Sequence, residues 1–378
     1  MKKNIMTAIK MIFAAAVMGA VFASALSAKV ALKSPADGET VALLNDRAKD
    51  FYSKSAAETD AIIRDKSERE KIVKTFGGGF KPVKFEWEGD GKKYLLEISE
   101  NPDFENPQKF TARKISFAVI KNLKIAQKYY WRVSNIDDPS AKDVSQVRAF
   151  TTEDKAPRIM RIKGATNVRD LGGRIGLDGR RVRQNMAFRG AGLNANSKDG
   201  ITHGKPFIKK EGVDFMVNVL KIKTDLDVRS KKEVADMSAS PLGEKVRWVN
   251  KSSVCYGGLF TDSGKKNYAD LFRFFADKNN YPIYFHCIGG ADRTGSIAFM
   301  LNAVLGVVDA ELEKDWKTTV FADKNIDFVA EPRFHVLLKG FDSYGKEGDS
   351  YSVKVVNYLK SAGITQEEID RFRNFMLE

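Results

Sequence analysis

The stretch YFHCIGGADRTGSIAF, Tyr284 to Phe299, brings a thiol, an imidazole and a guanidinium into one short turn. The chain has only two cysteines and three histidines, so Cys287 directly after His286 stands out as a possible reactive centre. Arg293 follows the cysteine six positions on, and Thr294 comes next. A thiol beside a guanidinium and a helix N-terminus ionises below its ordinary pKa of about 8.5, and the thiolate is the nucleophilic form. A planar guanidinium can hold two phosphate oxygens and tightens on the five-coordinate transition state. Thr294 can donate its hydroxyl to the sulfur and ease its departure, while His286 can fix the loop by a hydrogen bond. These residue types in this order suit in-line attack of sulfur on phosphorus. A buried cysteine next to a tight turn is the plainer reading, but it asks for no arginine at this spacing.

Such chemistry needs elements to position it. YPIYFH, Tyr281 to His286, reads as a short buried strand bounded by Pro282 and by glycines. TGSIAFMLNAVLG reads as a helix starting near Arg293 and Thr294 and stopping at Gly306. Strand, glycine-containing loop and helix together aim backbone N–H groups and a positive helix end at an anion. Ile288, Gly289, Gly290, Ala291 and Asp292 complete the expected phosphate loop, and Gly289, Gly290 and Gly295 let the backbone approach closely.

HCIGGADRTG carries the Cys-x5-Arg-Thr-Gly signature and resembles the protein tyrosine phosphatase superfamily, which implies a phosphocysteine intermediate without a metal or other cofactor. Upstream, GATNVRDLGG (Gly164 to Gly173) resembles the opening motif of the bacterial tyrosine phosphatase family that also dephosphorylates phosphoinositides. FRGAGLNANS (Phe188 to Ser197) and VLKIKTDLDVRSKKEV (Val219 to Val234) resemble that family's next two elements, in the same order. YLKSAGITQEEIDRFRNFMLE fits its closing helices, with Thr365 and Glu368 as a capping box. The resemblance spans roughly residues 157 to 378 and implies an α/β domain with a central sheet flanked by helices.

The resemblance also implies roles. It places the general acid at Asp227, in Asp227-Val228-Arg229-Ser230, with Asp292 in the loop as the second candidate. Asn167, Arg169, Asp170, Arg189 and Arg229 become groups that orient the acid and the loop. Asp225 shares a strand face with Asp227, with its role left open. One departure concerns substrate. The family often has Gly-Lys-Asp-Arg where this chain has Gly290-Ala291-Asp292-Arg293. The missing cation weakens a phosphoinositide or inositol-polyphosphate reading, unless Lys205, Lys209 or Lys210 replaces it. A phosphorylated protein bearing phosphotyrosine is the first expectation, and an inositol phosphate the second. A catalytically idle phosphate-binding module and a sulfurtransferase are the rivals from other classes.

Composition agrees with an anionic partner. The formal net charge is +14 over 378 residues, which attracts anions across a Debye length. The lysines are scattered as on a solvated face, and no nucleic-acid partner is expected. Residues 1–25 read as an export signal: Lys2 and Lys3, an apolar run from Met11 to Phe22, then Ala23-Ser24-Ala25. The run is too short for a stable membrane span, so export from a bacterial cell, to the periplasm or beyond, is the expectation. Two cysteines make no disulfide scaffold, and the histidines show no zinc spacing. Cys255 reads as an ordinary buried cysteine or as a reversible disulfide partner of Cys287.

Residues 26–155 are expected to form an all-β sandwich resembling immunoglobulin or fibronectin type III domains, with a protein or carbohydrate as its candidate partner. KPVKFEWEGDGKKYLLEIS reads as a hairpin turning at Gly89-Asp90-Gly91. Residues 45–76 read as a helical insertion, a solvated helix or a mobile arm, stopped by Gly77-Gly78-Gly79. Residues 156–378 form the expected catalytic domain.

Overall fold

The computed structural model describes residues 30–76, 79–114, 116–137, 143–194, 207–322 and 331–378. The expected export signal, Lys205 and most of the insertion before Phe207 lie outside the described residues. In chain order the first elements are β1 (Ala31–Ser34), β2 (Glu39–Val41), α1 (Asp46–Ser53), α2 (Ala56–Arg64) and α3 (Lys66–Phe76). Then come β3 (Val83–Glu88), β4 (Lys93–Ser99), β5 (Gln108–Arg113), β6 (Phe117–Ile120), β7 (Lys128–Asn135) and β8 (Arg148–Thr152). The remainder alternates: β9 (Arg169–Asp170), β10 (Ala187–Gly190), α4 (Lys210–Asp214), β11 (Thr224–Asp227), β12 (Arg247–Asn250), α5 (Asp262–Ala276) and β13 (Ile283–His286). Five helices close the chain: α6 (Asp292–Val304), α7 (Asp309–Lys317), α8 (Glu331–Asp342), α9 (Tyr351–Ser361) and α10 (Gln366–Met376).

Contacts divide the chain into two compact units, one of Met1–Asp37, Phe85–Ala118 and Tyr130–Ala149, the other of Gly38–Lys84, Val119–Tyr129 and Phe150–Glu378. The first unit is β-rich. In it β1 pairs antiparallel with β3, and β4 pairs antiparallel with both β5 and β7. The expected hairpin does not form, because β3 neighbours β1 and β6 while β4 lies in the other sheet. Both strands alternate so as to bury one face, and those faces meet across a core instead of lying edge to edge. The rings of Trp87 and Tyr94 meet at 5.4 Å and those of Phe85 and Trp131 at 5.1 Å, both edge to face.

The second unit holds a five-stranded sheet of order β12-β11-β13-β10-β9, parallel except for β9. Alternation along β13 serves both faces. Ile283 and Phe285 join the core formed with α5, α6 and the last helices, whereas Tyr284 packs with Phe188, Met216 and Leu220. Register sets Asp227 and Gly190 beside His286, so three strand ends lie level. In open α/β sheets the crevice beyond such carboxyl ends is where ligands bind.

The segment expected as an insertion or arm folds into three helices that belong to this second unit. Asn45 caps α1 by accepting from the Ala48 N–H, and Ser55 with Glu58 forms a capping box on α2. Helical spacing puts Ala48 and Phe51 on one inward stripe and Ile63 on another, and they pack with Leu44, Val320 and Phe321. Burial of these apolar side chains, rather than solvation, is what holds the segment. Among the described residues, no helix is long and apolar enough to cross a membrane.

Candidate active site

Cys287 follows directly on β13, is 3% exposed, and precedes α6 by a short loop. The loop's shape comes from how its carbonyls are held. His286 Nδ1 donates to the Cys287 carbonyl at 3.1 Å, and the Gly192 N–H donates to that of Ile288 at 2.9 Å. Asn167 Nδ2 donates to the Gly289 carbonyl at 3.0 Å, and an Arg189 N–H to that of Gly290 at 2.7 Å. Four consecutive carbonyls are thus tied down by groups outside the loop. In a trans peptide the N–H points opposite the carbonyl, so the amides of residues 288–291 turn away from these tethers. Gly290 has φ +69°, and a Cβ there would meet the Gly190 carbonyl oxygen at 2.3 Å, so glycine is required. Around Gly289 the space is open.

Helix α6 starts at Asp292 behind Ala291, whose side chain offers its N-terminal N–H groups no hydrogen bond. That helix end keeps its partial positive charge for an anion. Thr294 Oγ1 is buried with no hydrogen-bond partner among the described residues. Arg293 lies in the first turn, and its two terminal nitrogens donate to Glu233 at 2.7 and 3.0 Å. The guanidinium has five N–H groups, so the edge at Nε stays open for phosphate oxygens. The pairing with Arg293 holds Glu233 down at about 2, against the opposing effect of burial.

Beneath the cysteine lies a buried network of four charges. His286 Nε2 is 3.0 Å from Asp225 Oδ1, and its Nδ1 is 3.9 Å from Asp227 Oδ1. A carbonyl and a carboxylate can only accept, so both ring nitrogens carry protons and the ring is an imidazolium. Burial opposes that charge, but Asp227 and Asp225 outweigh it and lift the His286 pKa to about 9. Asp227 is fully buried and accepts from Arg229 Nε, a terminal guanidinium nitrogen and the Arg229 backbone N–H. Burial alone would raise its pKa, yet His286 and Arg229 hold it below the ordinary carboxylate value. An ionised carboxylate committed to these donors has no proton for a leaving group, which runs against the expectation that Asp227 is the acid. Asp292 instead opens α6 directly after the loop, half-buried, and the Tyr256 hydroxyl donates to its Oδ1.

A second buried network gathers Arg169, Arg174 and Arg189 on Asp315 of α7. Arg169 also donates to the Asn167 side chain and backbone, steadying the residue that holds Gly289. Asp170, by contrast, makes its hydrogen bonds elsewhere. It accepts from Arg158 at 2.9 Å and from the Gly172 and Asn185 N–H groups, fixing the turn after β9. Arg229 reaches Asn194 as well as Asp227.

The structure thus brings together Cys287, His286, Arg293, Thr294, Asp292, Asn167, Arg169 and Arg189, and sets Asp170 aside. Glu233, Tyr256 and Asp315 complete the arrangement without any local sequence signal. Glu233 sits in a lysine-rich run, and Asp315 in an ordinary amphipathic helix. Cys255 and Cys287 are both free thiols, and burial followed by the nearby Asp292 pushes Cys255 up to about 11. Among the described residues, no cluster of histidine, cysteine, aspartate and glutamate could hold a metal ion.

A parallel sheet whose central strand runs into a tethered loop at a helix N-terminus defines an α/β domain shaped for an anion. Residues 160–378 match the model of the tyrosine phosphatase family, and the chain belongs to that family. A comparison with curated proteins finds no match.

Proposed function

We propose that the protein is a cysteine-dependent phosphatase that hydrolyses phosphate monoesters through a phosphocysteine, with phosphotyrosine in proteins as its substrate class. The observation that carries this reading is the loop of four tethered carbonyls between Cys287 and Arg293. Its amides, the Arg293 edge and the α6 N-terminus supply donors for phosphate oxygens without reorganisation during the reaction. In the first step Cys287 Sγ forms a bond to phosphorus as the bond to the ester oxygen breaks, and Asp292 gives that oxygen its proton. In the second, water attacks phosphorus, Asp292 takes the water's proton, and the S–P bond breaks to return the thiolate and release phosphate. Thr294 Oγ1 serves as the donor to the departing sulfur. Asp227 then acts on the base of the site, keeping His286 charged and Arg229 in place.

Ala291 leaves this loop without the cation that a substrate rich in phosphates would meet there. The expected result with a chromogenic aryl phosphate is hydrolysis by the wild type that vanishes in Cys287→Ser. Turnover that survives this change would remove the cysteine from the mechanism. A wild type that binds phosphate but is inert at every pH would make the domain a binding module.

A further inference from the structure

We propose that Tyr256 is a positioning residue for proton transfer: its phenol holds one oxygen of Asp292 so that the other meets the leaving group. This rests on the reading of Asp292 as the proton donor.

Tyr256 is attached to α6 at both ends. Its backbone N–H donates to Ser296 Oγ at 3.3 Å, and its hydroxyl donates to Asp292 Oδ1, in the first turn of the same helix. Its φ is +52°, the left-handed region, which is unfavourable for a bulky aromatic residue and persists only where the surroundings hold it. The ring is 5% exposed and belongs to the core that contains Cys287 and Ile297. A strained, buried backbone therefore aims one hydroxyl at one carboxyl oxygen.

With Oδ1 occupied, the transferable proton of Asp292 resides on Oδ2. As it passes to the ester oxygen, a carboxylate forms, and the Tyr256 hydrogen bond strengthens with that charge. The other charged or titratable groups around this corner are Cys255, Cys287, Arg293 with its Glu233, and Arg333 of α8, with the Trp316 indole beside the phenol. Of the described residues around Asp292, Tyr256 is the one whose hydroxyl donates to its carboxylate.

The test compares full-length wild type, Tyr256→Phe and Asp292→Asn on phenyl phosphate, a poor leaving group, and on a nitrophenyl phosphate, a good one, across pH. Alkylation of Cys287 by iodoacetamide reports on the nucleophile independently. General acid catalysis contributes about 10²- to 10⁴-fold, so Asp292→Asn should lose at least about 100-fold on phenyl phosphate and much less on the nitrophenyl ester. Tyr256→Phe should lose about tenfold on phenyl phosphate and under about threefold on the nitrophenyl ester. Alkylation should be unchanged. Equal losses on both esters, or slowed alkylation, would overturn the role of Tyr256 while leaving Asp292 as the acid. An Asp292→Asn enzyme indifferent to the leaving group would overturn the acid reading itself. If Tyr256→Phe folds poorly, Ser296→Ala, which loosens the backbone anchor but keeps the phenol, should lose more on phenyl phosphate than on the nitrophenyl ester, by less than Tyr256→Phe. Equal losses on the two esters in that variant would count against the proposal.

Discussion

Two buried polar networks hold the loop after Cys287, and they differ in charge balance. The one under Cys287 sets Asp225 and Asp227 against His286 and Arg229, two anions for two cations. Among the described residues, the one reached through Arg189 sets Asp315 alone against Arg169, Arg174 and Arg189. A balanced network fixes geometry and adds little net field. An unbalanced one leaves positive charge in a low-dielectric interior beside the loop, where it favours an anion. Arg189 joins the two functions, because it pairs with Asp315 and also ties down the Gly290 carbonyl. Burial, and then Arg169, lower the pKa of Arg189 to about 9, and Asp315 opposes them only in part. Asp315 is itself held well below the carboxylate range: burial opposes this, but the three arginines prevail.

The largest effect should come from the unbalanced network. Asp315→Asn leaves three buried guanidinium groups without a counter-charge and should cost about 3–5 kcal/mol in denaturant unfolding. Asp225→Asn removes one member of the balanced network and should cost about 1–3 kcal/mol. Equal costs would mean that charge balance does not distinguish the two. Outside both networks, Glu233→Gln keeps the shape of the Arg293 partner but weakens its grip. A fall of about tenfold in kcat/KM for aryl phosphates is expected, corresponding to about 1.4 kcal/mol.

A further effect is one of pH. His286 has a pKa raised from 6.5 to about 9, so its contribution to stability is complete below about pH 6.5 and is lost as pH rises through about 9. Glu233 has the opposite sign: its pKa is lowered from 4.5 to about 2, so its contribution is complete above about 4.5 and fades as pH falls. Unfolding midpoints across pH should therefore decline at both ends. In Asp225→Asn the alkaline decline should begin at lower pH, and an unmoved alkaline limb would sever His286 from it.

Much of the site is legible because it is local. The helix expected from near Arg293 begins at Asp292, and Gly306, expected to stop it, has φ +78° just past its end. Thr365 and Glu368 form the expected capping box. These features depend on neighbours in the chain, whose spacing is written in the sequence. The hairpin at residues 89–91 failed because alternation shows that two strands each bury one face, but not whether those faces lie side by side or opposed. The helices at 46–76 were legible as helices, but not as packed ones, since the apolar stripe that receives them lies near residue 320.

By itself the sequence located the cysteine, the arginine at its fixed spacing, the glycine that the turn requires, and the strand and helix around them. All of these depend on short-range covalent geometry. Only the tertiary structure decided that Asp227 is buried and ionised, that Glu233 grips Arg293, and that Asp315 collects three arginines. Those facts depend on burial and on partners distant in sequence, and the charge of a side chain is set by the dielectric and neighbours it meets after folding.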